Sequence, residues 1–171
     1  RVIGVVKAYA TRVGEGPFPT ELHDDIGDRI RECGNEYGTT TGRPRRCGWF
    51  DSVAVRYTAA VNGTSCVALM LLDVLSGVDS IKVCTHYEID GKRTTDFPTD
   101  VEVLAKAIPV YEELPGWKED ITGVTVFGDL PVNARKYLAA IADLIETPIC
   151  LASVGRRRDQ TVVLDPEMLQ M

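Results

Sequence analysis

The sequence predicts a mixed α/β fold, with a largely parallel sheet flanked by helices and a β-hairpin. The segment Cys66–Leu72 (CVALMLL) is a continuous apolar run of strand length, which is typical of a strand covered on both faces. Helical stripes of apolar residues separate it from other strand-like runs, and Asp90-Gly91 signals a tight hairpin turn. With 171 residues, the chain corresponds to one domain or a large part of one.

The first part of the chain is predicted to contain one strand and one helix. Residues 2–6 (VIGVV) predict a buried strand, and the breakers in GEGP predict a loop within residues 11–22. A helix is predicted to start at Pro19-Thr20, with Thr20 as its N-cap, and to stop at Gly34-Asn35. Its apolar stripe has spacings of four, four and three residues: Leu22, Ile26, Ile30 and Cys33.

The rest of the chain alternates predicted loops, helices and strands. Small residues and breakers predict a loop over residues 37–49, and a helix follows over about residues 51–61. Alternating apolar residues predict a half-buried strand over 81–89, which the turn at Asp90-Gly91 joins to a second strand over 92–97. The remaining predictions, in chain order, are a less regular stretch over 99–128, a helix over 133–146, a buried strand over 148–154 and a basic loop over 155–158.

Composition excludes several classes of protein. The formal net charge of −6 argues against a general nucleic-acid binder, and no apolar run approaches the roughly 18 residues of a membrane-spanning helix. The five cysteines are widely spaced and form no CxxC motif, so we expect reduced thiols and a cytoplasmic location rather than a disulfide framework or a zinc site. The chain starts with Arg1 and a strand-like run, as a piece of a longer protein or a processed chain would.

Arginines are concentrated in two short loop segments. Six of the 13 arginines lie in the runs Arg43/Arg45/Arg46 and Arg156/Arg157/Arg158. Guanidinium groups pair with carboxylates and phosphates in two-point geometry, so the runs indicate a site for an acidic small molecule. The alternative is solvated surface charge, paired with the excess carboxylates.

Two further candidate positions lie at predicted strand ends, where open α/β sheets bind ligands. Asp73 follows the CVALMLL run, and its carboxylate could accept two N–H bonds from a guanine edge, or it could cap a turn through Val74–Gly77. The Ser153-Val154-Gly155 segment could bring backbone close to a base or phosphate, or it could form a turn that needs glycine. His23 and His86 are isolated, and the sequence contains no phosphate-loop motif of its own.

Several segments together resemble the adenylosuccinate synthetase family. They run almost end to end: GVVKAYATRVGEGPFPTEL, GNEYGTTTGRPRRCGWFDSVAVRY, LLDVLSG, IKVCTHYEIDG, YEELPGW and SVG. The resemblance implies that residues 1–171 are the carboxyl-terminal part of a P-loop-like, GTP-dependent ligase that joins IMP and L-aspartate in purine biosynthesis. It implies a homodimer in the cytoplasm, with no nucleic acid and no membrane as partner. It assigns the Gly-rich phosphate loop, the catalytic Asp and His and the magnesium ligands to the amino-terminal part, so no metal ligand is expected in this chain.

The resemblance also implies roles for individual residues in substrate recognition. Arg43 would reach both aspartate and the IMP ribose, Val13 would pack against IMP, and Arg45 would lie near GTP as well as aspartate. The aspartate loop consists of Thr39, Thr40, Thr41, Gly42, Arg43, Pro44 and Arg45. The implied GTP-binding residues, besides Arg45, are Leu71, Leu72, Asp73, Ser153, Val154 and Gly155.

Two departures from the family pattern fall at the implied guanine site. Leu71 stands where many members have a lysine whose stem covers the base, and Arg156-Arg157 replace a Pro-Asp pair after SVG. Two alternatives to an enzyme part stay open from the residues alone. One is a stand-alone nucleotide or dicarboxylate-binding module without catalysis, and the other is a structural unit that packs against a separate amino-terminal half.

Overall fold

The computed structural model describes residues 1–169, which form two sheets, a two-stranded ribbon and flanking helices. The strands are β1 (Ile3–Lys7), β2 (Ala10–Arg12), β3 (Arg46–Gly48), β4 (Phe50–Asp51), β5 (Cys66–Met70), β6 (Ser80–Ile89), β7 (Lys92–Thr94), β8 (Ile108–Pro115), β9 (Ile149–Ser153) and β10 (Thr161–Val163). The helices are α1 (Asp25–Gly34), α2 (Ser52–Val61), α3 (Val101–Leu104), α4 (Val132–Ile145) and α5 (Pro166–Leu169). Short 3-10 helices cover Leu72–Leu75 and Phe127–Asp129.

The main sheet confirms the predicted, largely parallel architecture. Its order is β1-β5-β9-β10, with the first three strands parallel and β10 antiparallel to β9. The apolar side of α4 and the strands β5 and β9 contribute to one hydrophobic core. Because β1, β5 and β9 are parallel, their carboxyl ends lie at one edge of the sheet. Lys7, Leu71 and Ser153 therefore lie at that edge.

The second sheet is built around β6, which pairs in parallel with β4 and antiparallel with β7 and β8. The predicted hairpin is confirmed: Asp90 (φ 50°) and Gly91 (φ 75°) both have positive φ, as a tight two-residue turn requires. Strand β7 ends at Thr94, earlier than predicted, and Phe97 instead stacks on Tyr57 with ring centroids 5.2 Å apart.

Two strands of this sheet were not predicted, the two-residue β4 and the longer β8. β8 is eight residues long and lies within the stretch that the sequence predicted to be irregular. Its sequence, IPVYEELP, has no regular alternation, and it contains two of the prolines that disfavour central strands. β8 pairs with β6 along its length, and these hydrogen bonds stabilise a strand that its own sequence does not predict.

The prediction for the start of α1 was wrong. The helix begins at Asp25, and its N-cap is Asp24, whose carboxylate accepts a 3.0 Å hydrogen bond from the Gly27 amide. Thr20 is buried outside the helix, where its carbonyl accepts from the Trp49 amide at 3.1 Å. Glu21 and Leu22 pair with β3 instead: Glu21 forms an antiparallel bridge with Gly48, and the Leu22 amide donates to the Cys47 carbonyl at 2.9 Å. The stop was predicted correctly, because Asn35 (φ 51°) forms a left-handed C-cap.

Helices α2 and α4 follow the sequence prediction closely, whereas the short helices α3 and α5 were not predicted. Asp51 is the N-cap of α2 and accepts from the Ala54 amide at 3.2 Å, while α4 runs over 132–145 against a predicted 133–146. Within the part of the chain that the structure describes, no helix has the length and hydrophobicity to cross a bilayer.

Candidate functional site

A threonine-rich loop, residues 38–44, forms an ordered turn between α1 and β3. A bridge between Tyr37 and Pro44 closes its base. The Gly38 amide donates to the Arg43 carbonyl, and the Gly42 amide donates to the Gly38 carbonyl, both at 2.8 Å. Gly42 has a φ of 64°, in the region that favours glycine. The threonines at 39, 40 and 41, with residues 42 to 44, are exposed, so their polar groups are accessible to a ligand.

The two arginines of this segment that were assigned to aspartate have different environments. Arg43 is exposed, and its guanidinium has no hydrogen bond or ion pair with any residue among 1–169. Arg45 is half-buried, and its Nη1 donates to a Glu36 carboxylate oxygen at 2.8 Å. One guanidinium is thus free for a ligand, whereas the other is held by the protein.

Glu36 is a buried carboxylate that no sequence signal identified. Its side chain is 2% exposed and accepts hydrogen bonds from Lys7 Nζ (2.7 Å), the Tyr9 hydroxyl (2.6 Å) and Arg45. Burial raises the pKa of Glu36, but the three donors more than compensate, so the net pKa is lowered and the carboxylate is ionised. Burial and Glu36 together raise the pKa of Tyr9 far above its usual range, which keeps this hydroxyl a donor. Only the tertiary fold brings β1, the end of α1 and β3 to one carboxylate.

Arg46 has a structural role instead of the ligand-binding role that its arginine run suggested. It makes a two-point contact with Glu21, with Nε and Nη2 at 2.8 and 2.5 Å from the two carboxylate oxygens. Its Nη1 donates to the carbonyls of Gly14 (3.1 Å) and Gly16 (2.9 Å). The arginine therefore fastens the glycine-rich loop, residues 13–17, to β3. Val13, which the resemblance places against IMP, lies on that loop and is 79% exposed.

A cavity of about 450 Å³ lies at the carboxyl ends of the parallel strands. Its lining includes Lys7 from β1, Leu71 after β5, and Ser153 and Gly155 after β9. The Ser153 hydroxyl accepts a 2.7 Å hydrogen bond from the Leu71 amide. The structure thus brings the predicted residues Leu71, Ser153 and Gly155 together, but Asp73 is not among the residues that line this cavity. The side chains of Leu72 and Val154 are fully buried and face the core. These last two residues can offer a ligand only backbone atoms.

Asp73 lies in the 3-10 helix that follows β5. Its Oδ1 is buried and has no hydrogen-bond partner within residues 1–169. Burial raises the pKa of Asp73, and the positive charge of Arg156 opposes that rise. A buried polar atom without a partner is costly, and ligand sites are one place where such atoms occur. Its environment differs from that of Asp24 or Asp51, whose carboxylates cap helices.

The second arginine run does not form one cluster. Arg156 donates to the Cys33 carbonyl at 3.0 Å and lines the strand-end cavity. Arg157 makes a two-point ion pair with Asp159, at 2.9 and 2.7 Å. Only Arg156 therefore faces the candidate nucleotide site, and the surface-charge interpretation describes Arg157.

Lys7 connects the two parts of the candidate site. It lines the strand-end cavity and donates to Glu36, which in turn holds Arg45 next to the threonine-rich loop. Among residues 1–169, no cluster of three or more His, Cys, Asp or Glu side chains has a geometry that could hold a metal ion.

Comparison with known proteins identifies the family. The model of the adenylosuccinate synthetase family matches residues 1–162. An adenylosuccinate synthetase of Listeria monocytogenes is 60% identical over 163 residues, which are 95% of this chain and 38% of that protein. The relative from Alkaliphilus metalliredigens is 56% identical over the same shares of both chains. A solved structure of a fully ligated adenylosuccinate synthetase from Plasmodium falciparum is 45% identical and superposes with a TM-score of 0.91, over 95% of this chain and 39% of that one.

The similarity covers nearly all of this chain and less than half of each relative. The chain spans about 38% of the length of the curated relatives that it matches. The superposition agrees with the α/β fold that the sequence predicted. This chain therefore belongs to the adenylosuccinate synthetase family.

Proposed function

We propose that this chain supplies the aspartate, IMP and guanine recognition of a GTP-dependent ligase that joins IMP and L-aspartate to adenylosuccinate. The observation that carries the proposal is the ordered threonine-rich loop, which presents the unpaired guanidinium of Arg43 beside the tethered guanidinium of Arg45. A carboxylate of a dicarboxylate ligand needs charge-assisted donors that the protein does not already use, and the free guanidinium of Arg43 is such a donor.

In this proposal, the threonine-rich loop binds L-aspartate. Amides and hydroxyls of Thr39, Thr40 and Thr41 hold one carboxylate, while Arg43 neutralises it with a two-point contact. Arg43 also reaches the IMP ribose, and Val13 packs on the same nucleotide from the glycine-rich loop. Gly42 and Pro44 shape the turn that presents these groups, since Gly42 has positive φ and Pro44 is part of the closing bridge.

The strand-end cavity binds the guanine base. Asp73 accepts from the N1–H and the amino group of guanine, which would give its buried Oδ1 the partner that it lacks. Leu71, Ser153 and Gly155 line the cavity around the base, and Leu72 and Val154 contribute through their backbone. Leu71 can pack on the base by apolar contact, without the cation that many relatives have at this position. Hydrogen bonds through Glu36 link Arg45 of the aspartate loop to Lys7, which lines this cavity.

The proposed reaction has two steps. GTP first phosphorylates the 6-oxygen of IMP, and the amino group of L-aspartate then displaces phosphate from that carbon. The chain described here orients the three substrates. The phosphate loop, the proton-transferring groups and the magnesium ligands belong, in this proposal, to the part of the relatives that this chain does not span, as do residues that complete a cytoplasmic homodimer.

A chimera tests the proposal directly. The segment of the Listeria monocytogenes relative that matches this chain is replaced by the corresponding 163 residues of this chain, and adenylosuccinate formation from IMP, GTP and L-aspartate is measured. We expect turnover within about tenfold of the parent enzyme, since 60% of the residues are already shared. The chimera with Arg43→Ala is the matched control, and we expect its KM for L-aspartate to be about tenfold or more higher.

A second measurement separates the enzyme from a binding module. In the isolated 171-residue chain, L-aspartate should shift the NMR signals of residues 39–43 and leave those of β7 unchanged. A folded but inactive chimera, together with aspartate binding by the chain, would favour a binding module. A folded, inactive chimera without aspartate binding would contradict both functions.

A further inference from the structure

Arg45 and Arg46, at the start of β3, are held by two different carboxylates. Arg45 pairs with Glu36, whereas Arg46 pairs with Glu21. Successive side chains of an extended chain point in opposite directions, so neighbours in sequence reach different surroundings. Each arginine is thereby directed toward a different loop.

Glu36 balances two cations at the base of the threonine-rich loop. Lys7 and Arg45 both donate to its buried carboxylate, at 2.7 and 2.8 Å. The Glu36 carbonyl also accepts from the Arg45 amide, so main chain and side chain hold the same arginine. Without the carboxylate, two positive groups would face each other in a half-buried space, and the guanidinium would move away from the loop.

Glu21 has the corresponding role at the glycine-rich loop. Its two-point contact with Arg46 fixes the plane of that guanidinium, and the remaining Nη1 then reaches the carbonyls of Gly14 and Gly16. The Arg46 guanidinium also lies over the Phe18 ring, 5.5 Å from its centroid. Residues 13–17 have no regular secondary structure, so these contacts hold the loop that carries Val13.

We propose that Glu36 and Glu21 are positioning residues and that each of them holds a different substrate loop. Glu36 holds Arg45 and the threonine-rich loop for L-aspartate, and Glu21 holds Arg46 and the glycine-rich loop for IMP. The identities of the two substrates rest on the function proposed above. The division of the two loops between two carboxylates rests on the geometry alone.

The first test needs no substrate. Backbone order parameters of the 171-residue chain are measured by ¹⁵N relaxation for the wild type, Glu36→Gln and Glu21→Gln. Glu36→Gln should lower the values of residues 39–43 from about 0.85 toward 0.6 and leave residues 14–16 unchanged, and Glu21→Gln should do the reverse. Asp159→Asn, which breaks the exposed pair with Arg157, is the control and should change neither loop. Equal effects of both variants on both loops, or no effect, would refute the division.

The second test uses the active chimera. Glu36→Gln should raise the KM for L-aspartate about tenfold or more, with a smaller increase in the KM for IMP because Arg43 lies on the loosened loop. Glu21→Gln should raise the KM for IMP and leave the KM for L-aspartate within about twofold. Glu36→Asp, which keeps the charge on a shorter side chain, should recover part of the loss. A general loss of structure would change both KM values and kcat together, and that result would contradict the proposal. An inactive wild-type chimera would count against the proposed function, and the order parameters would then decide the positioning roles.

Discussion

The hydroxyl of Ser153 accepts a 2.7 Å hydrogen bond from the backbone amide of Leu71 and so joins the ends of two parallel strands. Leu71 has a φ of 61°, a left-handed conformation that is uncommon for a large side chain. The hydrogen bond holds this strained residue at the rim of the strand-end cavity. It also leaves the Leu71 side chain at that rim.

Ser153→Ala should lower the free energy of unfolding by about 1–3 kcal/mol, because the partly buried Leu71 amide would lose its partner. Urea denaturation of the chain measures this change. Ser65→Ala is the matched control, since Ser65 accepts a longer, exposed bond of 3.3 Å from the Val2 amide, and we expect it to cost under about 0.5 kcal/mol. Equal losses of unfolding free energy in the two variants would show that the strand-end hydrogen bond stabilises the fold no more than the exposed one.

Arg43→Ala and Arg45→Ala should both impair aspartate use in the chimera, with an increase in KM of about tenfold or more, because each removes charge-assisted hydrogen bonds.

The same two variants should differ in their effect on the stability of the chain. The guanidinium of Arg43 has no partner among the described residues, so Arg43→Ala should change the free energy of unfolding by less than about 0.5 kcal/mol, while Arg45→Ala should destabilise the fold by removing a donor from buried Glu36. Arg→Lys should restore aspartate use only in part, since lysine has no fork. Unchanged aspartate kinetics in both Ala variants would contradict the proposal that Arg43 and Arg45 bind aspartate.

Asp73→Asn should narrow the preference of the chimera for GTP over ATP. The carboxylate offers acceptors to the guanine N1–H and amino group, while adenine presents an acceptor at N1 and would be repelled. Asparagine replaces one acceptor with a donor, so GTP efficiency should fall more than ATP efficiency. The ratio of kcat/KM for the two nucleotides measures the effect, and an unchanged ratio would leave Asp73 without a role at the base. Leu71→Lys serves as a companion variant. A gain in its GTP affinity would support guanine binding in the strand-end cavity even if Asp73→Asn had no effect.

Acid should destabilise the chain in part through Glu36. Its pKa is lower in the folded state than the ordinary 4.5, so its ion pairs stabilise the fold above that value, and the stabilisation is lost as the pH falls through the folded pKa. Urea denaturation over a pH series should therefore show a shallower acid-side decline for Glu36→Gln than for the wild type. An identical slope in the two proteins would show that Glu36 does not titrate differently on folding.

The isolated chain should form no adenylosuccinate from IMP, GTP, Mg²⁺ and L-aspartate. The resemblance assigns the groups that deprotonate IMP and hold the γ-phosphate to the part of the relatives that this chain does not span, and acid–base assistance alone contributes roughly 10²–10⁴-fold. A coupled assay on the purified chain, with the parent Listeria monocytogenes enzyme as positive control, measures this. Turnover at an ordinary enzymatic rate would show that the chain contains its own catalytic groups.

The sequence by itself determined the fold class, most of the long elements and the family. Continuous apolar runs gave the parallel strands, Asn35 gave the end of α1, and Asp90-Gly91 gave the hairpin, because each signal depends on neighbours a few residues away. The threonine-rich loop was also identified in sequence, through a string specific to the family, and Asp73 and Ser153 were identified by their positions at predicted strand ends. Their binding roles remain predictions.

The tertiary structure alone decided which polar groups serve the fold and which remain free. Arg43, Arg45 and Arg46 are nearly identical in sequence context, yet Arg46 is bound by Glu21, Arg45 by Glu36, and Arg43 by none of residues 1–169. The start of α1 and the strand β8 also depended on partners far along the chain, β3 and β6. Glu36 needs its three donors because it is buried, and it is buried only after distant segments have packed around it. No local sequence pattern encodes that burial.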